Sequence, residues 1–215
     1  CAPVRLVPKI LEASLPSLKP DALVTDVGST KGILVHECEA VADGHCYFVG
    51  SHPMAGSHQT GVEAAYAELF HKKICIITET ERSFRPAVDR VIQLWKSVGM
   101  RIVRMNPADH DRLTAFSSHL PHLIAAALCQ VAKSQGSSID PVLGNGFRDT
   151  TRIAQGDPAM WVDICLENRS AILDSLKAFR STIDTLAQRI ESSDEEAIRD
   201  FLAQAQQWKK RKRTR

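Results

Sequence analysis

The fold is decided by the stretch Leu23-Val24-Thr25-Asp26-Val27-Gly28-Ser29-Thr30-Lys31-Gly32, which passes from apolar residues through a glycine turn into helical sequence. Its first half predicts a buried strand, Leu23–Val27, that ends at Gly28. In open α/β sheets, ligands bind where strands end and helices begin. The loop after this strand therefore either lines a ligand crevice or only caps a helix, and its position leaves both interpretations open. It does not match the phosphate-binding Walker A pattern.

Further strands and a helix follow this stretch. Apolar residues recur at helical spacing from Ala87 to Val98, with Ser83 as the expected N-cap and Gly99 as the expected end. The other predicted strands are Cys46–Val49, Ile74–Thr78 and Arg101–Met105. Strands separated by helices of this length indicate crossover units and a mainly parallel sheet, which predicts an α/β Rossmann-like fold.

The character of the sequence changes near Asn106-Pro107, beyond which only helices are predicted. One helix is expected from about residue 109 to 134, with an interruption at Pro121, and another begins near Asp157-Pro158. An apolar seam at alternating spacings of four and three consists of Ile172, Leu176, Phe179, Ile183, Leu186 and Ile190. We predict an α/β domain over residues 1–106, an all-α domain over 107–208 and a basic tail over 209–215.

Composition and charge exclude several classes of protein. The chain has 215 residues, of which 44% are hydrophobic and 24% charged, as in ordinary globular proteins. Six of the last seven residues are basic, and the rest holds 21 basic against 25 acidic side chains, so nucleic-acid binding is not expected. No apolar run approaches the ~18 residues that span a bilayer, so no membrane association is expected. Six cysteines without a C-x-x-C pair favour reduced thiols and the cytoplasm.

Several polar segments could carry chemistry. The glycine-rich stretch Gly50–Gly61 contains His52, which is suited to proton transfer near neutral pH or is an inert loop histidine. Histidines at positions 110, 119 and 122 lie on one predicted helix. Such a cluster could bind zinc, but the zinc-binding pattern H-E-x-x-H is absent, so no metal is expected. Arg148 and Arg152 follow a glycine loop, where they either bind carboxylates or phosphates or form a solvated turn.

Together these segments resemble the prephenate and arogenate dehydrogenases of tyrosine biosynthesis. The motifs that carry the resemblance occur in family order across nearly the whole chain. They are T-D-V-G-S-T-K-G at 25–32, G-S-H-P-M-A-G-S at 50–57, H-D at 110–111, S-H-L-P-H at 118–122, G-F-R-D-T-T-R-I-A at 146–154 and P-A-M-W-x-D-I-x-x-x-N at 158–168. The resemblance implies a nucleotide-binding domain followed by an all-helical dimerisation domain, and hence a homodimer.

The resemblance also implies the activity and its residues. The reaction is the oxidative decarboxylation of prephenate to 4-hydroxyphenylpyruvate, or of arogenate to tyrosine, with NAD or NADP as cofactor. The matching catalytic residues are His52, which bonds the ring hydroxyl, and Ser29, which orients it. The matching substrate-binding residues are Arg152, which holds a carboxylate, His122, His119, Arg148 and Trp161. The matching cofactor-binding residues are Pro3, Val4, Asp26, Gly28 and Ser29.

Two departures from the family pattern matter. His58 stands where many members carry an acidic residue, which bears on side-chain specificity. The family's opening strand and its G-x-G-x-x-G loop are absent, and Cys1-Ala2-Pro3-Val4 resembles a family segment that comes several strands into the nucleotide-binding domain. We therefore expect an N-terminally incomplete sheet, with roughly two crossover units missing, and weak binding of a dinucleotide.

Two functions from other classes compete with the dehydrogenase. One is a non-catalytic dimerising or ligand-sensing fragment of the same fold, and the other is a metal hydrolase that uses the histidine cluster. Joint retention of Ser29, His52 and Arg152 favours the dehydrogenase. The sequence leaves open the choice between prephenate and arogenate and between NAD and NADP.

Overall fold

The computed structural model describes residues 2–56, 61, 63 and 65–213. For residues 212 and 213 it describes the backbone alone. The strands are β1 Ala22–Thr25, β2 Cys46–Pro53, β3 Ile74–Thr78 and β4 Arg101–Met105. The first helices are α1 Val7–Ser14, α2 Gly32–Ala42 and α3 Arg85–Ser97. The later helices are α4 Pro107–Thr114, α5 Leu120–Lys133, α6 Asn145–Thr151, α7 Pro158–Glu167, α8 Arg169–Glu191 and α9 Glu195–Arg213. The predicted Rossmann-like α/β fold followed by helices is confirmed.

The four strands form one sheet in the order β1-β2-β3-β4. β1 pairs with β2 and β3 with β4 in parallel, but β2 and β3 are antiparallel. The expectation of a parallel sheet is wrong at this pair, and the sheet is mixed. Parallel neighbours need a crossover, usually a helix, whereas the described residues between β2 and β3 include no α-helix.

The sheet is covered on both faces, which gives two apolar cores. On one face α1 and α2 bury Leu11, Leu34 and Val35 against Phe48 of β2. On the other face α3 packs its buried residues against β2 and β3. Gly99 has a φ of 85° directly after α3, as predicted for its end. The sheet thus holds the ends of β1 and β2 in a fixed relation, which matters for the site.

The first helix after the sheet does not break at its proline. α4 begins at Pro107 and α5 ends at Lys133, and a π-helical turn, Ala115–His119, joins them. The expected interruption at Pro121 is therefore wrong. Pro121 has no N–H to donate, and the wider turn, in which Leu120 N–H donates to Ala115 O, accommodates that loss within a continuous helical run.

The last helices differ from expectation at one end. α9 continues to Arg213, so the predicted basic tail is largely helical. By compactness the chain forms two units, one up to Ile172 and one from Leu173 onward. This grouping does not test the predicted division near residue 106, which stays a prediction.

Two properties of the described chain concern the predictions about a membrane and about reduced thiols. Within the described residues, no helix combines the length and the apolar content needed to cross a bilayer. The cysteines of the described chain are free thiols. Burial raises the pKa of Cys38 and Cys75 to about 12, so these two thiols are poor nucleophiles at neutral pH.

Candidate active site

His52 lies in a strand and not in a loop. β2 runs through Gly50, Ser51 and His52 to Pro53, and His52 faces Ile76 of β3 in the antiparallel register. The interpretation of His52 as a loop histidine is therefore wrong, because the start of this stretch belongs to a strand. Its polar groups are tolerated in the interior because they find partners there: Ser51 N–H donates to Asp26 Oδ1 at 3.0 Å and its hydroxyl donates to the Asp26 carbonyl. His58, which bears the predicted departure from the family, lies outside the described residues.

The loop after β1 is shaped by the buried carboxylate of Asp26. Its Oδ2 accepts a hydrogen bond from Gly28 N–H at 2.7 Å and pairs with Lys31 Nζ at 2.7 Å. The Lys31 ammonium also donates to the Gly28 and Thr30 carbonyls, at 2.6 and 3.1 Å. Asp26, predicted to bind the cofactor, thus has internal partners and fixes the loop that carries Ser29.

The other predicted cofactor-binding residues lie near the same loop. A Cβ added at Gly28 would lie 3.1 Å from Val4 Cγ2, so these two residues are close neighbours. Pro3 is exposed beside buried Val4, and Ser29 is half-buried. The structure therefore brings Val4 and Gly28 together beside Ser29 at the carboxyl end of β1, where the sequence left open either a ligand crevice or a helix cap.

Three side chains form a hydrogen-bonded row that begins at His52. His52 Nδ1 lies 2.8 Å from His110 Nε2, and His110 Nδ1 lies 2.7 Å from Asp111 Oδ1. All three are buried, with exposed fractions of 7%, 0% and 7%. The sequence placed the pair His110-Asp111 among the family motifs and His110 in a histidine cluster, but it predicted no contact of either residue with His52. α4 thus supports β2 from a position far along the chain.

Burial determines the charge state of these imidazoles. It holds the pKa of His52 well below 6.5, and the charge of Lys31 and the imidazoles of His110 and His119 lower it further. Burial also lowers the pKa of His110, although the neighbouring Asp111 carboxylate acts in the opposite direction. Both rings are therefore neutral near pH 7, and a neutral imidazole can accept a proton.

A second group of rings surrounds Trp161 of α7. The rings of His122 and Trp161 are stacked, with centroids 3.5 Å apart and planes 9° apart, and His119 meets Trp161 edge-on at 6.0 Å. A Cβ added at Gly156 would lie 2.6 Å from Trp161 Nε1 and 2.9 Å from His122 Cε1, so only glycine leaves room for this stack. The predicted substrate-binding residues His119 and His122 thus both contact Trp161.

Asn168 links the two groups. Its Nδ2 donates to the Asp111 carbonyl at 2.7 Å and lies 3.2 Å from His119 Nδ1. Burial lowers the pKa of His119, and the backbone of Ser29 acts to raise it against this larger effect. A continuous series of contacts therefore joins His52 to Trp161, and the sequence had indicated no role for Asn168. Because the ring of His119 is 1% exposed and has internal partners, its predicted contact with substrate stays a prediction.

The two predicted arginines lie at the surface beside these rings. Arg148 of α6 is exposed, and its Nε donates to the Leu143 carbonyl at 3.3 Å. Arg152 is exposed at the start of the 3-10 turn Arg152–Gln155. Burial lowers the pKa of His122, and the backbone of Ile153, next to Arg152, acts to raise it. The carboxylate-binding role of Arg152 is not tested by these contacts. Among the residues that the structure describes, no three His, Cys, Asp or Glu side chains are arranged so that they could hold a metal ion.

The fold and the site together define a class of protein. A Rossmann-like sheet is followed by helices, and a buried imidazole lies at the end of one strand. This arrangement is that of a nucleotide-binding α/β domain joined to a helical domain. The family model of the prephenate dehydrogenase nucleotide-binding domain matches residues 1–104. The model of the prephenate dehydrogenase dimerization domain matches residues 106–204. The chain therefore belongs to the prephenate dehydrogenase family.

Individual relatives agree with this result. The chain is 36% identical over 196 residues to a prephenate dehydrogenase of Bacillus subtilis, which covers 89% of this chain and 53% of that protein. It is 33% identical over 210 residues to a cyclohexadienyl dehydrogenase of Zymomonas mobilis, covering 96% of this chain and 71% of that one. A solved prephenate dehydrogenase of Aquifex aeolicus, in complex with hydroxyphenyl propionate and NAD+, superposes with a TM-score of 0.92 at 33% identity, covering 98% of this chain and 74% of that chain. The chain thus spans about half the length of the Bacillus relative.

Proposed function

We propose that the protein catalyses the NAD(P)-dependent oxidative decarboxylation of prephenate, or of arogenate, in tyrosine biosynthesis. The observation that carries the proposal is the buried, neutral imidazole of His52, hydrogen-bonded through its Nδ1 to His110 and joined by contacts to the loop of Ser29. A base of this kind is what removal of a hydroxyl proton requires. Membership in the family supplies the reaction class.

The residues around Ser29 suit the nicotinamide end of a dinucleotide. Val4 and Gly28 offer an apolar, close-fitting surface, and the Ser29 hydroxyl offers a polar group for a ribose or a ring hydroxyl. These residues, with Pro3, would hold the cofactor there, and Asp26 would act by fixing their loop. When bound, a nicotinamide dinucleotide supplies the acceptor for the hydride that leaves the ring carbon bearing the hydroxyl.

The chain's own residues then position the ring and move one proton. His52 accepts the proton of the ring hydroxyl while the hydride departs. The ring carboxylate leaves as carbon dioxide, and the electron pair of its carbon–carbon bond makes the ring aromatic. The proton returns from His52 to the phenol oxygen, which restores the neutral imidazole. Arg152 would hold a carboxylate of the substrate, and His122 with Trp161 would form the wall against the ring.

We further propose a homodimer formed through the helical domain and a location in the cytoplasm. The first rests on apolar side chains left exposed along α8, among them Ile183 and Ile190. The second rests on free thiols in the described chain, which suit a reducing compartment.

The direct test offers the protein prephenate and arogenate, each with NAD+ and NADP+, and follows formation of reduced nicotinamide and carbon dioxide. We expect equal amounts of both products in at least one of the four pairings. Because a dinucleotide is expected to bind weakly, each cofactor is raised until the rate no longer increases, and a folded protein that turns over none of the pairings under this condition contradicts the proposal. If that protein nevertheless binds hydroxyphenyl propionate, the ligand-sensing alternative replaces it.

A further inference from the structure

The row His52–His110–Asp111 ends at a carboxylate that is itself anchored. Asp111 Oδ1 accepts a hydrogen bond from Lys31 N–H at 2.8 Å, and its Oδ2 accepts one from Gly32 N–H at 2.7 Å, at the first residues of α2. A Cβ added at Gly32 would lie 2.7 Å from that Oδ2, so the close approach depends on glycine. The N-terminus of a helix favours the ionised form of a carboxylate. Asp111 is therefore an acceptor in each of these contacts.

Because Asp111 only accepts hydrogen bonds, it determines which ring nitrogen carries the hydrogen in His110 and in His52. Because Asp111 Oδ1 only accepts, His110 Nδ1 must carry a hydrogen. Burial keeps His110 neutral, so its Nε2 then holds a lone pair. His52 Nδ1, at 2.8 Å, must consequently donate its hydrogen to that lone pair. The lone pair of neutral His52 is left on Nε2, the ring nitrogen opposite the row.

We infer that His110 and Asp111 are positioning residues that hold His52 in the single tautomer with its hydrogen on Nδ1 and its lone pair on Nε2. The inference rests on the proposed function in one respect: Nε2 is the atom that would accept the hydroxyl proton. When Nε2 accepts it, the Nδ1–H of His52 continues to donate to His110, so no second proton has to move. A serine protease triad uses a carboxylate to the same end, on one histidine where this row has two.

The tautomer can be measured without substrate or cofactor. In the protein labelled with 15N in its histidine rings, long-range proton–nitrogen correlation at pH 7.5 distinguishes a protonated ring nitrogen from one with a lone pair. The His52 signals are identified by their loss in His52→Asn. We expect protonated Nδ1 and unprotonated Nε2 on both His52 and His110. A His52 that carries its hydrogen on Nε2, or exchanges between both forms, overturns the inference.

Asp111→Asn should reverse the row when its oxygen stays on Gly32 N–H, because the NH2 group then replaces Oδ1 and donates to His110 Nδ1. His110 would then carry its hydrogen on Nε2, His52 would accept at Nδ1, and the hydrogen of His52 would move to Nε2. We expect kcat to fall by at least about tenfold with little change in KM, since the base is lost and the binding residues stay. Asp109→Asn, two residues earlier on α4, is the matched control and should leave the His52 tautomer and kcat unchanged. An unchanged His52 tautomer in a folded Asp111→Asn whose NH2 group faces His110 contradicts the inference, and so does a changed tautomer in one whose amide oxygen still faces His110 and Lys31 N–H.

A second pair of variants covers the case in which Asp111→Asn does not fold. His110→Gln keeps an oxygen that can accept from His52 Nδ1, whereas His110→Leu keeps no acceptor. The Gln variant should retain the Nδ1-protonated tautomer and more turnover than the Leu variant; equal turnover and tautomer in the two would count against the inference. If neither variant folds, the His52 tautomer measured in the unmodified protein decides whether the inference holds. The predicted tautomer in a protein without turnover contradicts only the proposed function, and a different tautomer in an active protein contradicts only this inference.

Discussion

Lys31 Nζ lies 2.7 Å from Asp26 Oδ2, and the Lys31 side chain has no solvent exposure. The pair joins the loop of Ser29 to the start of α2. Removal of one partner leaves an uncompensated buried charge, which typically costs about 3–5 kcal/mol. We therefore expect Lys31→Met to lower the free energy of unfolding by about that amount, measured by urea denaturation at pH 7.5.

The matched control for this prediction is Arg112→Met. Arg112 Nη2 lies 2.8 Å from Asp109 Oδ1 in an exposed pair, and exposed pairs contribute little to stability. This variant should change the urea midpoint only slightly. Similar decreases in the free energy of unfolding in Lys31→Met and Arg112→Met would mean that the buried pair stabilises the fold no more than the exposed pair does.

His52→Asn should keep the fold and the affinity for substrate but lower turnover by at least about 10²-fold, the usual scale of general acid–base catalysis. The reason is that the variant has no imidazole to accept the hydroxyl proton. kcat and KM are measured with prephenate. His36→Asn, the same substitution at an exposed position on α2, should leave both parameters unchanged. Near-normal turnover in His52→Asn would remove His52 from the mechanism.

Arg152→Ala should raise KM more than it lowers kcat. A hydrogen bond to a charged group contributes about 1.5–3 kcal/mol, so a KM increase of about tenfold or more is expected if Arg152 holds a substrate carboxylate. Arg90→Ala, at an exposed position of α3, is the control and should leave KM unaltered. An unaltered KM in Arg152→Ala would mean that the carboxylate is bound elsewhere.

Local patterns of the sequence predicted most elements of the fold but not how they pair. The spacing of apolar residues identified all four described strands and the helix α3, because burial on a sheet imposes that spacing. The same spacing does not distinguish parallel from antiparallel neighbours, so the direction of β3 was missed. Gly50–Pro53 was assigned to a loop because its polar groups find their partners in a distant segment, at Asp26, which composition does not reveal.

The candidate site was predicted in part for a related reason. Single motifs around Ser29, His52 and Trp161 were recognisable from their resemblance to a family. The row behind His52 was not predicted, although its H-D pair is one of the matching motifs, because His110 is 58 positions away and only the fold brings its Nε2 to 2.8 Å from His52 Nδ1. Its one local sign was an H-D pair early in a helix, where the helix dipole alone already favours an acidic residue.

Stability should fall in mild acid because several histidines are buried in the neutral form. Burial lowers the pKa of His119 from 6.5 to about 4. In the unfolded chain His119 binds a proton below about pH 6.5, whereas in the folded chain it binds one only below about pH 4. The free energy of unfolding therefore decreases as the pH falls from 6.5 to 4. For His119 alone the loss at pH 5, relative to pH 7.5, is about 2 kcal/mol.

Urea denaturation at pH 7.5 and 5.0 measures this loss. His119→Gln cannot take up the proton, so the difference between the two pH values should shrink by about 2 kcal/mol in that variant. His36→Gln, at an exposed position, should leave the difference as it is in the unmodified protein. An equal difference in all three proteins would show that His119 takes up no proton on unfolding.

The last prediction concerns the helical half, whose apolar seam is only partly covered. Ile183 is 43% and Ile190 is 59% exposed on α8, and Leu202 and Trp208 of α9 are 58% and 57% exposed. Large apolar side chains exposed in series along helices indicate a surface that another protein surface covers. We expect sedimentation at micromolar concentration to give a dimer, and the double variant Ile183→Glu, Ile190→Glu to give a monomer, because each glutamate would have to be buried in the interface. Gln188→Glu, which adds a charge at an exposed polar position of the same helix, should stay dimeric. A monomeric unmodified protein, or a double variant that still dimerises, would place the interface elsewhere.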